Sequence, residues 1–261
     1  IIGFEEPEMY LHPNAASLMR DKIYELATSS NSKIICTTHS PYMIDLSKRI
    51  DKEDYPKQVL NLFKLEKNEE LNHNVCRSIA FNTSEAYATL QGEDKDFIKF
   101  ILKIDDYVAK IFFCKRVIVI EGDTEEILLK ETVNRLEVGR RKKFLSNYQI
   151  VKARGKATII SLVKYLKALS ITPFVIHDQD TEDGATKFNT PILEALDNNE
   201  NNRYMVVNTI EDILGYPEPT SEKPYKAYKH ITTNWGDNWA DIPENWRTVF
   251  EQRIANDLFD E

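Results

Sequence analysis

The amino-acid sequence predicts an α/β fold built on a doubly wound, mostly parallel sheet. Three observations predict it. From Arg116 onward, short apolar runs of strand length alternate with longer stretches of helical periodicity, the pattern that builds parallel sheets covered by helices. Two of those runs, Val-Ile-Val-Ile-Glu-Gly-Asp-Thr-Glu at 117–125 and Phe-Val-Ile-His-Asp-Gln-Asp at 174–180, end in carboxylates. A shorter strand, helix, strand succession occupies the first forty or so residues and also ends its strands in polar side chains.

Taken in order, Ile1-Ile2-Gly3-Phe4 reads as a buried strand that runs into Glu5-Glu6-Pro7-Glu8. The first residue is not methionine and no earlier element could pair with this strand, so the expectation is a C-terminal fragment of a longer protein. Pro13 and Asn14 start a helix whose Leu18, Met19, Ile23 and Leu26 share one face and are expected to pack on the sheet. Residues 33–37 form the second strand, stopped at Thr38-His39-Ser40-Pro41. Residues 59–65 and 75–80 read as the arms of a hairpin turning at Asn68-Glu69-Glu70. Residues 93–113 carry Phe97, Ile98, Ile101, Leu102, Ile104, Val108, Ile111 and Phe112 at helical spacing, a connecting helix for which core packing is favoured over a face for a twin subunit.

The acidic half follows as strand 117–120, helix 124–136, strand 148–151, helix 158–169, strand 173–177, helix 190–196 and strand 203–207, with 197–202 a polar loop. A C-terminal helical tail carries Trp235, Trp239 and Trp246, which are expected to pack rather than to meet a partner, since polar residues separate the rings. The domains expected are therefore 1–90, a connecting helix at 91–115, and 116–261.

At 261 residues and 42% hydrophobic, the chain can bury two cores. It contains no apolar run long enough to span a bilayer and no signal-peptide pattern, which points to a cytoplasmic protein without a membrane partner. Cys36, Cys76 and Cys114 lie too far apart for a zinc site or a disulfide framework and are expected in the core. The net charge of −8 excludes nucleic-acid attraction by the average field. Only local patches could supply it: Arg140 to Lys143, the set Lys152, Arg154 and Lys156, and Lys223, Lys226 and Lys229.

Parallel sheets place function at the carboxyl ends of their strands, where these acids fall. Glu121 ends one strand, Gly122 permits a tight turn, and Glu125 in the first helical turn points back over the same crevice. Asp178 and Asp180 flank Gln179 and project to one side of an extended backbone, with Glu182 and Asp183 following in the loop. Glu211 and Asp212 repeat the theme after the fourth strand. Oxygen ligands at neighbouring strand ends suit a hard divalent cation, and crowded carboxylates should hold raised pKa values without one. His177 precedes Asp178, points to the opposite face and is expected to be a packed histidine.

The first fifty residues resemble the carboxyl half of an ABC-type ATPase head, through Glu5-Glu6, Leu11-His12-Pro13 and the Thr38-His39-Ser40-Pro41 segment. That resemblance implies that Glu5 orients magnesium through water, Glu6 polarises the attacking water and His39 senses the γ-phosphate of ATP. Glu5 stands where most such ATPases carry aspartate. No Gly-x-x-x-x-Gly-Lys loop occurs in the chain, so ATP turnover is expected only with a preceding segment supplied. Glu-Gly-x-x-Glu followed by Asp-x-Asp resembles the Toprim domain of topoisomerases, primases and certain nucleases. An ABC-type head followed by Toprim resembles the OLD (overcoming lysogenization defect) family, whose relatives include the Gabija nuclease subunit and retron-associated effectors.

What this resemblance implies is a metal-dependent DNA endonuclease coupled to an ABC-type ATPase and acting in antiphage defence. Two magnesium or manganese ions would be held by Glu121, Glu125, Asp178, Asp180 and one of Glu211 or Asp212, with Asp212 the choice adopted. Glu121, Asp178, Asp180 and Lys223 would be catalytic, with Lys226 as the alternative lysine. ATP with magnesium would serve the head. DNA, a dimer or tetramer of the chain, and a defence-system protein or retron nucleic acid are the implied partners. Two other readings stay open: an ATP-gated DNA-binding or scaffolding module with a silent nuclease site, and a topoisomerase, although none of the twelve tyrosines stands in a recognisable nucleophile context.

Overall fold

The computed structural model describes residues 1–29, 32–47, 58–68, 72–104, 108–181 and 183–259, without the side chains of 64–67 and 183. They form two compact units, Ile1–Phe113 and Cys114–Glu261.

In the first unit, β1 (Ile2–Glu5) pairs in parallel with β2 (Ile34–Thr37), in a register that sets Glu5 beside Thr37. Helix α1 (Pro13–Ser29) joins them. Its expected apolar stripe packs only in part: Ala16 is buried, Ile23 and Leu26 are half-buried, and Leu18 and Met19 face outward. The antiparallel hairpin β3 (Val59–Asn68) and β4 (His73–Asn82) is present, and its expected turn residues Glu69 and Glu70 lie outside the described residues. After α2 (Thr83–Ala88), α3 (Glu93–Ile104) buries Ile98, Ile101 and Leu102, and a 3-10 turn at Val108–Phe113 buries Ile111 and Phe112, whose ring stacks on Phe81 at 5.0 Å. Ile104, expected on the stripe, is instead 43% exposed. The cysteines are a further correction: Cys36 and Cys76 are exposed, because the two-stranded sheets they belong to leave most of β2 and β4 uncovered, and Cys114, which precedes β5, is half-buried.

The second unit holds the parallel sheet expected from the alternation. Strands β5 (Arg116–Ile120), β6 (Tyr148–Lys152), β7 (Phe174–Asp178) and β8 (Arg203–Val206) run in the order β6-β5-β7-β8. The helices between them are α4 (Asp123–Asn134), α5 (Val138–Asn147), α6 (Lys156–Ala168), the short α7 (Asp183–Thr186) and α8 (Asn189–Ala195). Helices α9 (Ile210–Leu214), α10 (Lys223–Asn234) and α11 (Glu244–Val249) form the tail.

Strand periodicity explains the two-sided packing. Ile118 and Ile120 join a core with Leu128, Leu129 and Val133 of α4 and Ile231 of α10, so the equally buried Val117 and Val119 face the other layer, toward α6. The chain steps from β5 outward to β6 and then back across to β7, which makes the carboxyl ends of β5 and β7 the switch point of the sheet.

The tryptophans pack, as expected. Trp246 is 1% exposed and its indole N–H donates to Thr132 Oγ1 at 2.7 Å, while that hydroxyl donates to the Leu128 carbonyl at 2.7 Å. Trp246→Ala is expected to cost about 3–5 kcal/mol in urea unfolding, because the tail no longer seals α4. Trp246→Phe should cost much less, since Thr132 keeps its backbone partner.

Candidate active site

Five carboxylates gather at the switch point, each delivered by a different local device. Glu121 follows directly on β5, where the backbone leaves the sheet. Gly122 opens α4, and its amide donates to Glu125 Oε2 at 3.1 Å, which folds the Glu125 side chain back over the start of its own helix. Asp178 ends β7. Asp180 lies two residues on in the left-handed region, at φ 58°, with its amide held by the Asn208 carbonyl at 2.9 Å. The same-side argument from an extended backbone therefore does not hold for Asp180; a turn brings it in. Glu211 sits in the first turn of α9 and is 2% exposed.

Burial dominates the electrostatics. It is the largest cause holding Asp178 at about 8, with the charges of Glu125, Glu121, Asp180 and Glu211 adding to it. Burial likewise raises Glu125 to about 7, opposed by backbone amides and reinforced by Glu121 and Glu211. Glu121 is raised for the same first reason, with Lys156 pulling the other way. The pKa rise expected from crowding is present, but desolvation leads and repulsion follows.

Three of these side chains carry a buried oxygen without a hydrogen-bond partner: Glu121 Oε2, Asp178 Oδ1 and Glu211 Oε1. Bare carboxylate oxygens from three elements are the donor chemistry a hard divalent cation takes. Among the described residues, no three His, Cys, Asp or Glu side chains stand close enough together to hold a metal ion in this arrangement. Two of the carboxylates are held by the protein itself, Glu125 by the Gly122 amide and Asp180 by Lys156 at 2.5 Å.

Lys156 is the residue that sequence reasoning underrated. The sequence groups it with Lys152 and Arg154 as a local basic patch that could attract nucleic acid, yet its side chain is only 3% exposed. Its ammonium also donates to Asn189 Oδ1 at 3.0 Å and the Gln179 carbonyl at 3.3 Å, and Asn189 in turn donates to that carbonyl at 2.8 Å. The Asp-Gln-Asp turn is thus clamped from α6 and α8. Lys152 is spent on Asp123 and Glu126, the latter at 2.7 Å, and only Arg154 of the three is exposed.

The remaining expectations fall as follows. Glu211, not Asp212, belongs to the cluster: Asp212 is exposed, and one residue around a helix turns it away. Lys223 opens α10 as a half-exposed cation paired with Glu218; that pairing chiefly raises its pKa, with Glu211 and Asp178 adding. Lys226 lies one turn further on. Glu182 lies outside the described residues, and only the backbone of Asp183 is described. His177 is fully buried, with Nδ1 2.8 Å from the Asp178 carbonyl oxygen, and burial lowers it to about 4, so it is neutral at ordinary pH. The run from Arg140 to Lys143 forms part of α5, where Arg140 lies over the Phe259 ring and Lys143 donates to the Asp257 carbonyl.

In the first unit, the β1 and β2 pairing puts the three nucleotide candidates at one edge. Glu5 ends β1, the Glu6 amide donates to the Thr37 carbonyl at 3.0 Å, and His39 Nε2 lies 3.2 Å from Glu6 Oε1. Glu6 adopts φ 42°, a left-handed conformation held by that bond. Glu8 accepts from the Thr38 hydroxyl, which ties the acidic loop to the histidine segment.

Comparison with known proteins matches residues 112–180 to the family described as "Overcoming lysogenization defect protein-like, TOPRIM domain" and residues 1–44 to an AAA ATPase domain. The first span contains Glu121, Glu125, Asp178 and Asp180, and the second contains Glu5, Glu6 and His39. An OLD nuclease of Thermus scotoductus is 26% identical over 249 residues, covering 88% of this chain and 43% of that protein. An endonuclease GajA of Bacillus cereus strain HuB5-5 is 30% identical over 195 residues, 70% of this chain and 27% of the relative. A second GajA, from strain VD045, is 25% identical over 133 residues, 51% of this chain and 19% of the relative. The chain spans less than half the length of these relatives.

Proposed function

From the premise that this chain belongs to the OLD family, with an OLD-like TOPRIM domain behind part of an AAA ATPase domain, we propose that it is the catalytic part of a DNA endonuclease dependent on magnesium or manganese. The names of the relatives, a nuclease and two endonucleases, support the reaction class. The observation that carries the site is the set of bare buried oxygens on Glu121, Asp178 and Glu211 at the switch point of the sheet.

When bound, a pair of divalent ions would supply Lewis-acid chemistry to the phosphodiester. Glu121, Asp178 and Glu211 would bind them directly, with Glu125 and Asp180 completing the set once released from the Gly122 amide and from Lys156. Lys223 would offset charge growing on the phosphate, since it already feels Asp178 and Glu211 and can leave Glu218 for a stronger anion. Lys156 and Asn189 would hold the Asp180 turn in register. Within a longer protein, Glu5, Glu6 and His39 would serve ATP with magnesium, coupling hydrolysis to DNA cleavage. Antiphage defence, a cytoplasmic location, self-association as a dimer or tetramer, and a defence protein or retron nucleic acid as partner complete the proposal; no helix among the described residues is long and apolar enough to cross a membrane.

Lys156→Met is expected to lower cleavage and raise the manganese concentration giving half-maximal rate by roughly 10–100-fold, the usual effect of removing a side chain that orients a ligand. Initial rates across a manganese titration read this out, and Lys156→Arg should restore part of it. A silent nuclease site that merely binds DNA is favoured only by the open arrangement of the carboxylates. Plasmid cleavage across divalent metals, with and without ATP, separates the two: metal-dependent nicks or breaks support the endonuclease, and DNA binding without cleavage in every metal supports the silent module.

A further inference from the structure

Helix α10 carries more than the lysine at its start. Lys223, Lys226, Lys229 and His230 recur along it, it contains no acidic residue, and the chain as a whole has a net charge of −8. Ala227 and Ile231 are fully buried against the core, so the remaining faces of the helix are turned outward. An open cleft of about 360 Å³ runs beside it, lined by Tyr216, Pro217, Lys226, Lys229, His230 and Thr233 among others, none of them acidic. Lys226 is half-buried and Lys229 exposed, and neither is engaged by a carboxylate among the described residues.

The cleft adjoins the carboxylate cluster at Tyr216, which lines it and whose backbone amide donates to the Glu211 carbonyl at 3.2 Å. Tyr216 stacks its ring on His230 at 4.6 Å, while its buried hydroxyl has no hydrogen-bond partner and lies within the influence of Glu211. Lys223, at the start of the helix, feels Asp178 and Glu211. Tyr225 and Tyr228 of the same helix carry exposed rings. Lysines at helical spacing with no carboxylate partner among the described residues offer successive points for phosphates, and a stacked aromatic floor suits a base or sugar beside them.

We infer that the α10 cleft is a track for the sugar-phosphate backbone of DNA, with Lys226 and Lys229 as phosphate contacts that lead the strand past Tyr216 to Lys223 and the cluster. The inference rests on the nuclease reading for the strand's destination, but binding can be tested without turnover. The test is fluorescence anisotropy of labelled duplex and single-stranded DNA across a salt series, using the Asp178→Asn chain with and without Lys226→Gln and Lys229→Gln. Loss of two phosphate contacts is expected to reduce the slope of log K against log salt by about two units and to weaken binding at low salt by about tenfold or more. In the cleavage-competent chain the same pair should raise KM about tenfold.

Lys22→Gln with Lys103→Gln, two exposed lysines of the first unit that carry the same change in charge, is the control for bulk charge. An unchanged slope in the α10 glutamine pair, or an equal loss in this control, overturns the track. Should the glutamine pair fold poorly by circular dichroism, Lys229→Gln alone must still lower the slope by about one unit, and an unchanged slope then overturns it equally. A parent that binds DNA through α10 but never cleaves would leave the track standing and remove the nuclease reading; a parent that cleaves with the slope unmoved would do the reverse. A track for duplex and one for a single strand are distinguished by which probe shows the larger change.

Discussion

Asp178→Asn is expected to abolish cleavage, by roughly three orders of magnitude or about 4 kcal/mol in the barrier, while making the metal-free chain more stable. Both effects have one cause. Asp178 is held at about 8, first by burial and then by the four carboxylates around it, so its charged form is an unfavourable occupant of the site unless a cation is present. Asparagine keeps the shape, removes the charge and removes the ligand. At about pH 8 the gain should show as a clear rise in the thermal midpoint of the Toprim unit. A residue that merely shaped the strand end would lose activity and stability together, and that outcome in calorimetry would remove Asp178 from the site.

The second large effect is on the pH dependence of stability and its reversal by metal. Asp178 and Glu125 have folded-state values of about 8 and about 7, above their ordinary 3.8 and 4.5, so the folded chain keeps protons that the unfolded chain has released. Their contribution to stability is therefore fully present below about pH 4 and is lost as pH rises through 7 and 8. The metal-free chain should melt progressively lower between about pH 5 and pH 8, and millimolar manganese should restore the midpoint most strongly at the alkaline end. Manganese uptake near pH 7 should release protons, seen as a heat that depends on the ionisation enthalpy of the buffer. A flat profile without metal, or restoration greatest at acid pH, would mean that these groups are not the ones the cation displaces protons from.

The parts of this site legible in the sequence are those set by periodicity. Four apolar strands separated by helices define a parallel sheet, and that alone places Glu121 and Asp178 at strand ends and Glu125 in a helix's first turn. What was hidden depends on residues far apart in sequence or one step around a turn. Lys156 looks like any surface lysine until the fold brings Asp180 onto it from 24 positions away, and nothing local marks it as 3% exposed. A weak signal existed in Arg154-Gly155 just before it, where φ values of 65° and 130° mark a tight approach to the start of α6. Glu211 and Asp212 are adjacent acids at a helix start, and only the rotation of the helix decides that the first is buried and the second exposed. The outward-facing Leu18 and Met19 show the same limit from the other side, since periodicity identifies an apolar stripe but not whether a neighbour covers all of it.

Calorimetric titration of manganese into the metal-free chain tests the central claim, that separated carboxylates jointly hold divalent cations, most directly. The account predicts uptake of about two ions per chain at neutral pH, reduced sharply by Asp178→Asn and by Glu211→Gln and left intact by Asp212→Asn. No manganese heat, or equal uptake by the parent and the Asp178→Asn chain, would contradict it.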